Sequence, residues 1–430
     1  MPDREIYMGV LRIGIAGLGT VGGGLLKLAY GQGPLASTVK VTGVSARTKG
    51  RTREVDISDI AWFDDPVALA NSPDIDVFVE LMGGSEGSAK AAVEAALTAG
   101  KHVVTANKAL LAEHGAALAA LAAKHGAEIR YEAAVAGGIP VIKALREGLA
   151  ANHITAVSGV LNGTCNYILT EMDLTGRSFG EVLADAQRLG YAEADPTLDV
   201  SGADAGHKLA ILSAIAFGGA PNFAALRLEG IQAIEPIDLE SAKFLGRRVK
   251  LLAKAARVGD SVVQSVRPTL LAQDHPIARV NGPLNAVVID ADPVGRLSLV
   301  GAGAGAGPTA SAVAGDLIDL SHEDSRPVFS GPGQANQLTA AMGGLLVASK
   351  FYVRLRVPDR AGTIAKITDT LAKHLVSIES FLQKPPEDAS RVPIVLTTQP
   401  MAEQDLLDAL GELSRLDVLV EAPVLMPLED

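Results

Sequence analysis

Apolar positions along the first 150 residues alternate between two textures. Short apolar runs at Val10–Ala16, Val39–Ser45, Asp76–Leu81, His102–Thr105 and Glu128–Ala134 read as buried strands. Between them, Val21–Tyr30, Ser88–Ala99 and Ala109–Lys124 carry apolar residues at helical spacing, with Gly100 and Gly126 as stops. This alternation predicts an α/β fold, a doubly wound parallel sheet covered by helices on both faces.

The texture changes near residue 151. Helical spacing returns at Phe179–Leu189 and Ala203–Phe217. Strand-like segments follow at Leu251–Val258, Ser261–Leu271, Asn285–Asp292 and Arg296–Val300, joined by Gly, Asp and Pro turns. A second, α+β domain with a more open, partly antiparallel sheet is expected over 151–302. Gly301–Asp316 then reads as a glycine loop running into a helix, with Pro308 in its first turn. Residues 330–349 carry almost no charge and several glycines, the character of a linker. From 350 to 430 the order strand Phe351–Val357, helix Gly362–His374, strands Val376–Gln383 and Arg391–Gln399, helix Ala402–Leu416 and strand Val418–Pro427 predicts a small ferredoxin-like βαββαβ domain.

At 430 residues, two to four such domains are expected. The 49 acidic against 38 basic residues argue against a nucleic-acid or anionic-membrane partner. No uncharged run has the bulk of a membrane span. One cysteine, Cys165, excludes an internal disulfide and fits a reducing compartment. The first residues run straight into a strand and lack the form of a signal peptide. A cytoplasmic protein is the expectation.

The chemistry begins at the first strand–helix junction. Gly17-Leu18-Gly19-Thr20-Val21-Gly22 matches G-x-G-x-x-G in the context that gives it meaning. Gly17 serves the tight turn, Gly19 the approach of a pyrophosphate, and Gly22 close helix packing. The helix N-terminus favours the phosphates. The second strand ends without the acid that usually binds the ribose of NAD; Arg47, Lys49, Arg51 and Arg53 follow instead. Arg47 is placed to clasp a 2′-phosphate, so NADP(H) is expected over NAD(H), against the simpler reading of a solvated basic loop. Gly83, Gly84 and Ser85 end another strand and could let a nicotinamide ribose approach, with an ordinary turn as the competing reading. Lys108 opens a helix at the carboxyl edge of the sheet, where ligands bind in such folds.

GYAEADPTLDVSGADAGHK (190–208) holds Glu193, Asp195, Asp199 and Asp204 before His207 and Lys208. Metal, charged substrate and solvent all suit four carboxylates. Asp195-Pro196 suits a turn. Asp204 and Lys208 share a helix face, but such i,i+4 pairs are mostly surface pairs worth about 0.2–0.5 kcal/mol. A lysine becomes a usable base near neutral pH only through burial or a second cation such as Lys108.

Together GLGTVG, VVTANKALLA, YEAAVAGGIPVI, LNGTCNYIL and the long acidic stretch resemble homoserine dehydrogenases across residues 10–325, and the tail resembles the ACT regulatory domain. The acidic motif is the specific one. The resemblance implies a Rossmann-like nucleotide domain over 1–150 with a return segment at 303–325, a catalytic and dimerisation domain over 151–302, and interconversion of L-aspartate 4-semialdehyde and L-homoserine with NAD(P)(H), in threonine, methionine and isoleucine biosynthesis. By motif it implies Lys208 as acid/base and Lys108 as a second lysine at the active site and cofactor. Glu193 would take the substrate ammonium, with Asp199 and Asp204 as the acidic pair. Glu132, Val135, Gly137 and Ile139 would bind a monovalent cation such as Na+, largely through carbonyls. Gly305 would lie near the cofactor. It also implies a homodimer or homotetramer and an amino-acid effector, threonine, at the tail. Cys165 stands where the family more often has threonine, and Ala361 where ACT domains often have proline.

Overall fold

The computed structural model describes residues 10–322, 327–332, 339–340, 348–383 and 390–430. Six parallel strands form the first sheet: β1 (Leu11–Ala16), β2 (Val39–Ser45), β3 (Ala61–Phe63), β4 (Val77–Glu80), β5 (His102–Thr105) and β6 (Ile129–Arg130). Their order is β3-β2-β1-β4-β5-β6, that of a Rossmann sheet. The helices are α1 (Thr20–Ala29), α2 (Pro34–Thr38), α3 (Pro66–Asn71), α4 (Ser88–Thr98) and α5 (Lys108–His125). Order reverses between β1 and β4, so the loops after these two strands meet at the switch point where such sheets bind ligands.

The core of this sheet joins Ile13, Ile15, Val77, Val79 and Val104 to Leu25 and Leu26 of α1. Val313 and Leu317 of the late helix Ala306–Ser321 complete the same cluster. Gly24 permits that packing, since a Cβ there would lie 2.7 Å from the Ala306 carbonyl oxygen.

One expected strand is cut short. Glu128–Ala134 gives only the two-residue β6, then a 3-10 turn at Glu132–Ala134. The backbone leaves the sheet because the Glu132 N–H donates to the Asp316 carboxylate at 2.8 Å rather than to a strand.

The contact pattern divides the chain differently from a cut near residue 150. One unit comprises residues up to 157, 204–224 and 284–340; the other comprises 158–203, 225–283 and 341–430. From Asp204 onward the helix Ala203–Phe217 falls in the unit of the nucleotide sheet, and every one of those residues is buried. His207 on it stacks on Phe223 at 4.3 Å and approaches Glu113. The antiparallel hairpin Leu284–Asp292/Gly295–Ala302 lies in the same unit.

The second unit is built on the long antiparallel hairpin Arg247–Val258/Ser261–Ala272. Its second strand pairs in parallel with Val424–Glu429, and the sheet continues through Lys350–Val357, Val392–Thr398 and Ile378–Gln383. With helices Thr363–Lys373 and Glu403–Arg415, these strands form the βαββαβ domain. Most of the expected linker 330–349 lies outside the described residues. Among the described residues no helix is long and apolar enough to cross a membrane.

Candidate functional site

The glycine loop at the switch point is shaped for a ligand. Gly17 has φ +102, and a Cβ there would lie 2.5 Å from the Leu81 carbonyl oxygen, so the first glycine lets the two loops touch. A Cβ on Gly22 would lie 2.1 Å from the Gly17 carbonyl oxygen; the close approach is to the loop, at the end of the strand. A Cβ on Gly19 would meet nothing within 4 Å, which leaves backbone facing open space. Leu18, Thr20 and Val21 complete the turn into α1, whose N-terminus has no side-chain cap among the described residues. Open space before uncapped N–H groups fits a pyrophosphate.

At the end of β2, Arg47 and Lys49 are exposed. Arg53 is otherwise engaged. Its guanidinium donates to the carbonyls of Thr48, Lys49 and Arg51 at 2.8–3.0 Å and lies 5.4 Å from the Trp62 ring centre. These bonds hold the basic loop in shape, and Lys49 Nζ also lies over the Trp62 ring, 5.9 Å from its centre.

Asp204 and Lys208 are not a surface pair. Asp204 is 8% exposed and Lys208 9%. Lys208 Nζ lies 2.6 Å from Asp204 Oδ2, and Lys108 Nζ lies 3.3 Å from Asp204 Oδ1. One buried carboxylate thus holds two ammonium groups, the second from the first residue of α5. The buried helix is rich in small and apolar residues on every face, which is why its polar pair lies inside.

In the second unit, Asp199 is tied to the helix Gly163–Thr175. Asn162 Nδ2 donates to Asp199 Oδ1 at 2.8 Å, while Asn162 Oδ1 caps the helix at the Cys165 N–H. The Cys165 thiol is buried and donates to the Asp199 carbonyl at 3.2 Å. Glu193 lies exposed on the loop after the helix Phe179–Arg188, and Gln187 Nε2 donates to its carbonyl at 3.1 Å. Asp195 closes the turn, accepting from the Thr197 N–H and hydroxyl, which hold its carboxyl below the usual range.

The segment 132–139 folds beside the late helix. Glu132 accepts the N–H groups of Ile142 and Lys143, each at 2.9 Å. Burial, then the neighbouring Asp316, pushes its carboxyl up to about 8; burial also pushes Asp316 up to about 7. Val135 leads into Ala136 (φ 55) and Gly137 (φ 46), and these left-handed residues curl the chain back to Ile139. A cavity of about 450 Å³ is lined by Glu132, Gly137, Gly138, Lys143 and Pro308, among others. Gly305, φ +122, precedes the late helix.

Sequence reading missed Glu80, Asn162 and Asp316. Glu80 ends a strand of otherwise apolar residues, a signal that an acid is buried there with donors. Asn162 stands one residue before a helix, which marks a cap. Nothing local marks Asp316, whose partner is 184 residues away.

A family model described as homoserine dehydrogenase matches residues 140–318, one described as homoserine dehydrogenase, NAD binding domain, matches 17–132, and one described as ACT domain matches 351–415. The chain is 42% identical over 427 residues to the homoserine dehydrogenase of Neisseria gonorrhoeae, covering 97% of this chain and 98% of that one. A crystal structure of a homoserine dehydrogenase from Thiobacillus denitrificans matches with TM-score 0.88 at 39% identity over 98% of both chains. A hyperthermophilic archaeal homoserine dehydrogenase, solved in complex with NADPH, matches with TM-score 0.64 at 27% identity, over 74% of this chain and 99% of that one.

Proposed function

The chain belongs to the homoserine dehydrogenase family, oxidoreductases acting on a CH–OH group with a nicotinamide cofactor, and from that premise we propose how its own residues do the work and what regulates them. The reaction is the NADP(H)-preferring interconversion of L-aspartate 4-semialdehyde and L-homoserine, within threonine, methionine and isoleucine biosynthesis. One observation carries the reading: the Asp204 carboxylate holding Lys208 at 2.6 Å and Lys108 at 3.3 Å.

A bound nicotinamide carries the hydride. The protein handles the proton and orients the substrate. Lys208 donates a proton to the aldehyde oxygen during reduction and takes it back during oxidation. Asp204 orients Lys208, and both Asp204 and Lys108 line the substrate site. Homoserine is a zwitterion, so Glu193 takes its ammonium and Asp199 shapes the same side. Lys108 meets its carboxylate or the reacting oxygen and lies beside the cofactor. Gly17 to Gly22, Gly84, Ser85 and Gly305 cradle the cofactor. Arg47 takes the 2′-phosphate, supported by its exposure and by the lack of an acid where NAD would need one.

Carbonyls of Glu132, Val135, Gly137 and Ile139 hold a monovalent cation such as Na+. The Glu132 side chain already accepts two N–H groups, which leaves main-chain oxygen for the ion. A buried acid pair with raised carboxyls is what a nearby cation would relieve. The ACT domain takes an amino-acid effector, threonine, in a cytoplasmic homodimer or homotetramer.

NADPH oxidation with aspartate semialdehyde tests the reading, with NADH compared and threonine added. Folded protein with no turnover would sink it. Lys208→Ala is expected to lower kcat by about 100-fold or more while NADPH still binds; near-normal kcat removes Lys208 from the proton transfer.

A further inference from the structure

Glu80 is fully buried at the carboxyl end of β4. A carboxylate there needs donors, and it has three. Its Oε1 accepts the N–H groups of Met82 at 2.7 Å and Gly83 at 3.0 Å. Its Oε2 accepts the Thr105 hydroxyl at 2.6 Å. The Thr105 oxygen in turn accepts the Asn107 N–H at 2.9 Å. Asn107 then works in both directions. Its Oδ1 caps α5 by accepting the Leu110 N–H at 3.1 Å, and its Nδ2 donates to the Gly84 carbonyl at 2.7 Å. The chain of bonds leaves the loop at Met82 and Gly83 and returns to it at Gly84.

Side-chain packing does not hold the two glycines of this loop, which are exposed. Gly83 and Gly84 have φ of +80 and +85, and a Cβ on either would meet nothing within 4 Å. Hydrogen bonds from Glu80 and Asn107 set its course instead. Lys108 is the residue after Asn107 and the first of α5, so the same cap that holds Gly84 sets the start of the helix bearing the lysine.

We propose that Glu80 is a positioning residue that, through Thr105 and Asn107, locks the loop Met82–Gly84 and the Lys108 end of α5 into one arrangement. The inference rests on the proposed roles of that loop in cofactor binding and of Lys108 at the substrate. Glu80 touches neither ligand. It makes the two half-sites share one set of hydrogen bonds, so a cofactor seated on the loop also steadies Lys108. Homoserine then binds better to the protein–NADP complex than to a variant in which the link is cut.

The link is cut at its middle in the full chain. Thr105→Val keeps the shape of a buried side chain and removes the hydroxyl; Thr105→Ser restores it. Thr105→Val is expected to raise KM for homoserine about fivefold or more and to weaken NADPH, read by nucleotide fluorescence, about threefold or more. Thr105→Ser is expected to return both to within about twofold of the parent. Thr105→Val combined with Asn107→Ala is expected to be no worse than the poorer single variant, because both break one chain. Should Thr105→Val not fold, Glu80→Met serves, since it keeps the side-chain length and accepts from neither the loop nor Thr105. A lower melting temperature with KM and NADPH affinity unchanged would overturn the proposal, as would strictly additive effects. Lys108→Ala separates the two levels of inference. If it impairs turnover and the Glu80 and Thr105 variants do not, only the positioning role falls. If it leaves turnover and KM intact, the role of Lys108 falls and the proposal falls with it.

Discussion

Asp204 shows how burial changes the meaning of a residue pair. On an exposed helix its contact with Lys208 would matter little. Only 8% exposed and shared between two lysines, the carboxylate keeps two positive groups together. Asp204→Ala is expected to cost roughly 3–5 kcal/mol in urea unfolding, because the buried Lys208 loses the carboxylate 2.6 Å from its ammonium. A second buried lysine offers a pH signature. Lys250 donates to the Asn166 side chain at 2.8 Å and to the Val280 carbonyl, and burial pulls its ammonium down to about 8. Between pH 8 and its ordinary value the unfolded chain keeps a proton that the folded chain has released. Stability from this group therefore rises with pH across that window. The parent minus Lys250→Met difference in unfolding free energy is expected to show that rise; a flat difference from pH 7.5 to 10 would contradict it.

At the level of elements, helix ends position several of the candidate residues. Asn107 caps α5 just before Lys108, and Asn162 caps Gly163–Thr175 while holding Asp199. Asn162→Ala is expected to destabilise by about 1 kcal/mol through the lost cap. It is also expected to raise KM for homoserine more than it lowers kcat, because Asp199 loses the Asn162 amide that holds it; an unchanged KM would separate Asp199 from substrate. The late helix Ala306–Ser321 illustrates the reach of packing. Its Asp316 bends the chain at Glu132, which ended a strand that the apolar pattern had continued.

Across the second unit, the tail is joined to the preceding sheet by more than a linker. Arg354, 2% exposed, pairs with Asp238 at 3.0 Å and with Glu235, and these contacts are ionic rather than aligned hydrogen bonds. Arg267, also buried, pairs with Glu403 at 2.8 Å. Val424–Glu429 covers an edge of the strand Ser261–Ala272. Arg354→Met is expected to lower stability by roughly 3–5 kcal/mol, since Asp238 is left buried with one partner fewer. Deleting residues 350–430 is expected to lower the melting temperature and promote aggregation, because it takes Glu403 from the buried Arg267, leaving it Glu229 at 3.1 Å, and uncovers a strand edge. A truncated protein as stable and monodisperse as the parent would show the tail to be an independent appendage.

Local periodicity was enough to predict the strand–helix alternation, the βαββαβ tail and the glycine loop, because each depends on neighbours a few residues apart. The resemblance to homoserine dehydrogenases, carried by motifs, pointed to Lys108, Glu193, Asp199, Asp204 and Lys208 as candidates. Tertiary structure alone decided that Asp204 joins two lysines from helices nearly a hundred residues apart, that Glu128–Ala134 breaks at Glu132, and that the helix Ala203–Phe217 belongs with the nucleotide sheet. It also decided that Glu80 is a buried hub. Those outcomes depend on burial and on partners distant in sequence. A carboxylate reads the same in the chain whether water or three protein donors will surround it.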